Sequence, residues 1–299
     1  MQKKALKMFC DVPPFDQSWQ EFFTTTGLCR ETFSRFRSII FHYYLAHQRT
    51  FSWRSQITPY RVVVSELMLQ QTQTIRVAEK FESFVTAFPD FNSLAEARFA
   101  EILMLWKGLG YNRRAKYLQD IAQLVMQQYG GRLPDDPDTL ISFPGIGPAT
   151  AASICAFAFN APTVFIETNI RTVFIHFFFA DKAPVHDRDI LPLVEQTLDS
   201  QRPREWYYAL MDYGAMLKKT IGNLGRKSSH YTKQSRFEGS DRQLRGKILQ
   251  LLLDRQRLSS DELPRLLGEE DGERINRIVT ALCDDNIVLL RRGGHLRLD

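Results

Sequence analysis

The sequence predicts a mainly α-helical protein. Three observations carry that reading: apolar residues recur at helical spacing through one segment after another, Pro, Gly and Asp/Asn turns separate the segments, and strand-like alternation is weak until the C-terminus. The 299 residues are 44% hydrophobic and 24% charged, an ordinary globular composition that excludes a disordered, collagen-like or coiled-coil chain. No apolar run reaches the roughly 18 residues of a membrane span; the most apolar stretch, 173–180, is interrupted by His176. The start, Met1-Gln2-Lys3-Lys4, is not followed by the apolar segment of a secretory signal, so a cytoplasmic protein is expected.

In chain order, an N-terminal extension (1–30) precedes helices expected over 32–47, 59–74, 75–87, 94–106, 113–130 and 188–198. Residues 218–236 hold Lys218, Lys219, Arg226, Lys227, Lys233 and Arg236 with no acid, and read as a basic linker (218–237), either a solvated tether or a track for a phosphate backbone. Beyond it, 241–253, 259–267 and 272–284 read as short helices, and 287–291 with 295–298 as a hairpin around Gly293-Gly294, the order of a winged-helix-like module over 238–299. Acids and bases nearly balance there, so the net charge of +5 belongs to the rest of the chain. The four cysteines, Cys10, Cys29, Cys155 and Cys283, lie far apart and form neither a disulfide framework nor a metal-ligand cluster.

Residues with chemical potential fall into a few segments. At 140–154 the chain reads LISFPGIGPATAASI, a short helix, a Pro-Gly-Ile-Gly turn and a second helix entered through Pro148-Ala149-Thr150. Gly145 and Gly147 permit a tight turn and expose amides at a helix N-terminus, where a phosphate binds without a side chain; the other reading is close helix packing by small residues. Glu66 interrupts an apolar run, Val62-Val63-Val64-Ser65-Glu66-Leu67-Met68-Leu69. Such a carboxyl either faces solvent or is buried with a raised pKa and able to act as a general acid. Glu167, in Phe165-Ile166-Glu167-Thr168-Asn169, sits at an expected helix N-terminus, where it favours the macrodipole or serves as a second carboxylate for glycosidic-bond cleavage. Gln70-Gln71-Thr72 closes the helix carrying Glu66, and Gly108-Leu109-Gly110-Tyr111 forms a tight loop; side chains there either pack or wedge into a base stack.

Taken in order, these blocks resemble the helix-hairpin-helix DNA glycosylase superfamily, most closely its adenine DNA glycosylase branch. The likeness runs from about Thr32 to Leu217 through Trp53-Arg54, Ser65-Glu66-Leu67-Met68-Leu69-Gln70-Gln71-Thr72, Leu105-Trp106-Lys107-Gly108-Leu109-Gly110-Tyr111, Phe143-Pro144-Gly145-Ile146-Gly147 and Met211-Asp212-Tyr213-Gly214. It implies a two-lobed helix-hairpin-helix glycosylase domain over 31–217 that acts on double-stranded DNA and flips the target base into a cleft between lobes. By position, Glu66 matches the catalytic Glu, and Gln71 and Tyr111 match the intercalating residues. Gly145, Gly147 and Thr150 match the phosphate-binding hairpin, and Trp53 and Arg54 lie near the base pocket.

The departures from the family pattern shape the expectations. Glu167 stands where the superfamily usually has an Asp that stabilises the sugar cation. Ala149 stands where bifunctional relatives carry a Schiff-base Lys, so base removal without strand cleavage is expected. Tyr208 replaces a polar base-contacting residue. No cysteine occupies 218–236, where relatives supply an iron–sulfur cluster, so the cluster is expected to be absent and no cofactor is expected. The expected activity is removal of adenine opposite guanine or 8-oxoguanine. The alternatives are another base, thymine or uracil in a mismatch or a damaged pyrimidine, and a non-catalytic DNA-binding protein. A bacterial bearer would hold such a protein at the nucleoid.

Overall fold

The computed structural model describes residues 15–232 and 236–299, with side chains from Ser18 onward. Residues 1–14 of the expected N-terminal extension, Cys10 among them, and Lys233 of the basic stretch lie outside the described residues. Along the chain come α1 (Phe15–Thr26), α2 (Arg30–His47), α3 (Ser52–Ser55), α4 (Pro59–Leu69), α5 (Thr74–Ala87), α6 (Phe91–Glu96), α7 (Phe99–Trp106) and α8 (Arg113–Gln128). They are followed by α9 (Pro137–Ile141), α10 (Pro148–Phe159), α11 (Thr168–Phe178), α12 (Asp187–Thr197) and α13 (Pro203–Thr220). The last elements are α14 (Asp241–Arg255), β1 (Leu258–Ser259), α15 (Leu263–Leu267), α16 (Gly272–Asp284), β2 (Val288–Arg291) and β3 (His295–Leu298). Among the described residues no helix is long and apolar enough to cross a membrane.

Three expected helices differ from what forms. The one expected over 59–74 ends at Leu69, because Gln71 takes a left-handed backbone (φ 52°) that no α-helix interior accommodates, and α5 starts afresh at Thr74. The one expected over 94–106 divides at Ala97 and Arg98, both extended; the Glu101 carboxylate accepts from the Arg98 amide and caps a new helix. Of 259–267 only Leu263–Leu267 is α-helical, since Leu258 and Ser259 pair antiparallel with Leu296 and His295. The resulting sheet has the order β1-β3-β2, and Leu258 and Leu296 are buried on it.

The chain divides into two compact units, one of Met1–Arg49 with Pro162–Tyr231, the other of Thr50–Ala161 with Thr232–Asp299. In the first, the described core is aromatic. Phe36 of α2 lies 5.0–5.8 Å from the rings of Phe174, Phe177, Phe178 and Trp206, and the Trp19 indole both packs there and donates to the Phe177 carbonyl at 2.8 Å. Helices α11 and α13 touch closely at Gly214, where a Cβ would stand 2.4 Å from the Asn169 carbonyl oxygen. That approach fixes the start of α11 and with it Glu167. In the second unit α4 is the central helix, with Val62, Val63, Val64, Leu67 and Met68 all buried. The C-terminal α14 belongs to the same unit and buries Leu244, Ile248, Leu249 and Leu252.

Candidate functional site

Helix α4 begins at a good signal, Thr58 accepting from the Arg61 amide (3.2 Å) with Pro59 in the first turn. Glu66 is half-buried on this apolar helix, the one acidic residue in it. Its carboxylate accepts a hydrogen bond of 2.5 Å from the Ser153 hydroxyl of α10, and Ser153 is buried. The length is that of a charge-assisted O–H···O contact, and the buried hydroxyl fixes the direction of the Glu66 carboxylate.

The hairpin is α9, the turn Ser142 to Gly147, and α10. Gly145 is demanded twice, by a left-handed φ of 72° and by the Tyr117 ring, which a Cβ would meet at 2.3 Å. Gly147 is demanded by neither: its φ is −91°, and a Cβ there would meet nothing within 4 Å. It is the N-cap of α10 and supplies no side-chain cap, which leaves the first amides of α10 open beside an exposed turn. Thr150, in that first turn, is half-buried. The Gln70 amide ties the turn to the end of α4, donating to the Gly145 carbonyl (3.2 Å) and to the Thr150 hydroxyl (3.4 Å).

Gln71 and Tyr111 are both exposed and both in the left-handed region, at φ 52° and 48°, which is uncommon for Gln and Tyr. What holds these two turns is Arg114, 6% exposed on α8. Its guanidinium donates to the carbonyls of Leu67 (2.6 Å), Met68 (2.9 Å) and Gln70 (2.6 Å) on one side, and to the Thr72 hydroxyl (2.9 Å) and the carbonyls of Leu109 (3.3 Å) and Gly110 (3.0 Å) on the other. Leu67 and Met68 offer last-turn carbonyls of α4, which have no partner within a helix and favour a cation. Burial still pulls the guanidinium down to about 10, short of neutralising it. Neither Arg114 nor Ser153 stands out in the sequence; each is one polar residue on a helix, and its partners come from elsewhere in the chain.

Trp53 and Arg54 sit on α3. Trp53 is a core residue, stacked on Phe51 at 4.6 Å and edge-on to Phe81, and Arg54 lies over the Phe51 ring at 5.2 Å. Glu66, Gln71, Tyr111, Gly145, Gly147 and Thr150 are thus connected within one unit through Ser153, Arg114 and Gln70.

The other unit carries Glu167 and Tyr208. Glu167 is the N-cap of α11, its carboxylate accepting from the Asn169 amide at 3.0 Å. Burial raises it above its ordinary value, against the lowering effect of the Asn169 bonds. Tyr208 is buried on α13. So is Asp212, which the sequence did not single out; it accepts from the Arg49 amide (2.8 Å) and guanidinium Nε (2.7 Å). Among the described residues no group of three or more His, Cys, Asp or Glu is placed to hold a metal ion.

The family model described as the HhH-GPD superfamily of base excision DNA repair proteins matches residues 64–191, a span that holds Glu66, both turns, the hairpin and Glu167. An adenine DNA glycosylase of Mycolicibacterium smegmatis is 32% identical over 270 residues, covering 84% of this chain and 92% of that protein. The chain belongs to the HhH-GPD superfamily. Its sequence and helical fold are those of a DNA glycosylase close to the adenine DNA glycosylases. An adenine DNA glycosylase of Buchnera aphidicola is 31% identical over 186 residues, 61% of this chain; the chain spans about half (52%) of that longer relative. Among solved structures, a thermostable thymine-DNA glycosylase superposes with a TM-score of 0.56 at 25% identity, over 61% of this chain and 86% of that one. The span matched by the family model ends before α14.

Proposed function

We propose that the protein is a monofunctional glycosylase that removes adenine from double-stranded DNA where it is mispaired with guanine or 8-oxoguanine. The observation that carries this is Glu66, a half-buried carboxyl on a largely buried helix, aimed by Ser153 of the helix whose open N-terminus forms the hairpin. In this reading Glu66 donates a proton to the leaving adenine and helps activate water. The N-glycosidic bond breaks, water forms the new bond to the sugar carbon, and free base and an abasic site are released. Glu167 has the role of stabilising the positive charge that develops on the sugar. The hairpin amides past Gly147 grip a phosphate, and Gln71 and Tyr111 fill the space left by the flipped base. Trp53, Arg54 and Tyr208 are assigned to the base pocket. Ala149 brings no amine to form an imine, so the strand is left uncut. The cysteine-free stretch 218–236 supports function without an iron–sulfur cluster, and the order helix, helix, helix, hairpin supports a winged-helix-like C-terminal module. A cytoplasmic location, at the nucleoid in a bacterium, accompanies this reading.

The test is a single-turnover assay on duplexes carrying A opposite G, A opposite 8-oxoguanine, T opposite G and U opposite G, with and without alkali. The T and U duplexes answer to the likeness with a thymine-DNA glycosylase. The A duplexes are expected to break only after alkali, and Glu66→Gln to slow the reaction by about 10²–10⁴-fold. Breakage without alkali, release of T or U in place of A, or an unimpaired Glu66→Gln variant each refutes the corresponding part.

A further inference from the structure

Helix α14 and the two turns wall a cleft of about 990 Å3 that lies entirely within one compact unit. Gln71, Gln73 and Lys107 line it from the turns and Arg76 from the start of α5; Arg242, Gly246 and Gln250 line it from α14. Its lining includes six cations and no Asp or Glu. Among these cations Arg114 is held by carbonyls, and Arg113 and Arg245 share the Asp285 carboxylate, whose pKa burial works to raise and the two guanidiniums bring down. Arg76 and Lys107 are exposed and make no ion pair among the described residues, and Arg242 reaches the Tyr111 hydroxyl at 3.1 Å. The cleft therefore carries a positive excess.

Two further features specify what kind of anion fits. Tyr111 and Phe237 both line the cleft and are 36% and 58% exposed, so two aromatic surfaces stand among the cations. Gly246 lies mid-helix, where glycine lowers helix stability, yet its φ is not left-handed and a Cβ would meet nothing within 4 Å. Packing does not require that glycine. It leaves the α14 wall of the cleft without a side chain at that point.

We propose that this cleft seats a short unpaired run of DNA, with phosphates on Arg76, Lys107 and Arg242 and bases against Tyr111 and Phe237. Cations tracking a backbone and aromatic faces for bases are the combination that holds single strands, whereas a free phosphate or an acidic peptide has no use for the aromatic pair. The inference rests on the proposed function only in taking DNA as the polymer, and it makes α14 part of the nucleic-acid surface.

The experiment measures fluorescence anisotropy of a labelled oligothymidylate with the full chain across a salt series. Three phosphate contacts predict a log–log slope of about −2. Gly246→Leu, which favours the helix and fills the cleft, is expected to weaken that binding at least about tenfold without lowering Tm, while binding to a fully paired duplex changes less than about twofold. Arg76→Gln with Lys107→Gln is expected to flatten the slope by about 1.4. Unchanged oligothymidylate binding in Gly246→Leu, equal weakening for duplex, or displacement by tripolyphosphate or polyglutamate at matched charge overturns the proposal. Base removal that persists while this binding fails strikes the cleft alone; binding that persists while base removal fails strikes the functional reading alone.

Discussion

Removing the Arg114 guanidinium is expected to release both wedge turns together. Arg114→Met keeps an apolar stem of similar length but deletes every donor, together with the guanidinium's place over the Trp106 ring. Three of the acceptors, the carbonyls of Leu67, Met68 and Leu109, are buried, and each carbonyl left without a donor costs about 1–2 kcal/mol. The other three lie nearer solvent and rehydrate. Relief from burying a charge, whose cost shows in the guanidinium's depressed pKa of about 10, offsets part of the loss. The net expected destabilisation is about 2–3 kcal/mol by urea unfolding. Global stability is the less specific readout. The Thr72 amide, bonded to the Leu69 carbonyl, and the Leu109 amide, bonded to the Trp106 carbonyl, belong to the turns themselves, and their hydrogen exchange is expected to speed up well beyond that of α11 and α13. Arg114→Lys keeps the charge but brings three donors to six acceptors, and is expected to fall between the two. If Arg114→Met unfolds at the wild-type urea midpoint, or the turn amides exchange no faster than those of α11, Arg114 does not hold the turns.

The hairpin glycines give a paired contrast. Gly145→Ala is expected to lose about 2–4 kcal/mol, from a left-handed backbone and a Cβ driven into Tyr117. Gly147→Ala is expected to keep its stability within about 0.5 kcal/mol while losing duplex affinity, because the methyl occupies the approach to the α10 amides; equal Tm losses in the two variants would sink the distinction. Asp212→Asn is expected to cost about 2–3 kcal/mol by denaturant unfolding. That is less than for a pair buried on both sides, since the Arg49 side chain keeps 34% of its exposure while that of Asp212 has none; a shift under about 0.5 kcal/mol argues against the pair as a fixture of this unit. Glu167 has a raised folded-state pKa, so its contribution to stability is complete below its ordinary value of 4.5 and is lost as pH rises through the folded value. Glu167→Gln is therefore expected to match the wild-type Tm in acid and to gain on it toward neutrality, and parallel Tm curves from acid to neutral pH would contradict the sign.

Which parts of this site the sequence reveals follows from how each residue is held. Glu66 is legible because a lone ionisable residue among Val62, Val63, Val64, Leu67 and Met68 contradicts its surroundings, and the contradiction is local. The hairpin is legible because glycine and proline declare backbone geometry within a few residues, and α9 and α10 form on either side of them. Gly108 and Gly110 announce the loop that ends at Tyr111, but the left-handed backbones at Gln71 and Tyr111 are invisible by the same logic: nothing local makes Gln or Tyr adopt a positive φ, and the helix over 59–74 reads as continuous. Their cause is Arg114, whose acceptors lie up to 47 residues away and which reads locally as one more cation beside the exposed Arg113. Ser153, 87 residues from Glu66, is hidden in the same way among the small residues of α10. Local conflict thus marks the group that reacts, while the groups that aim it satisfy local rules and show their purpose only once the chain has closed around them. The cleft beside α14 lies at the far end of that scale, since Gly246 is unremarkable as a sequence letter and becomes informative only when the space in front of it is seen to be empty.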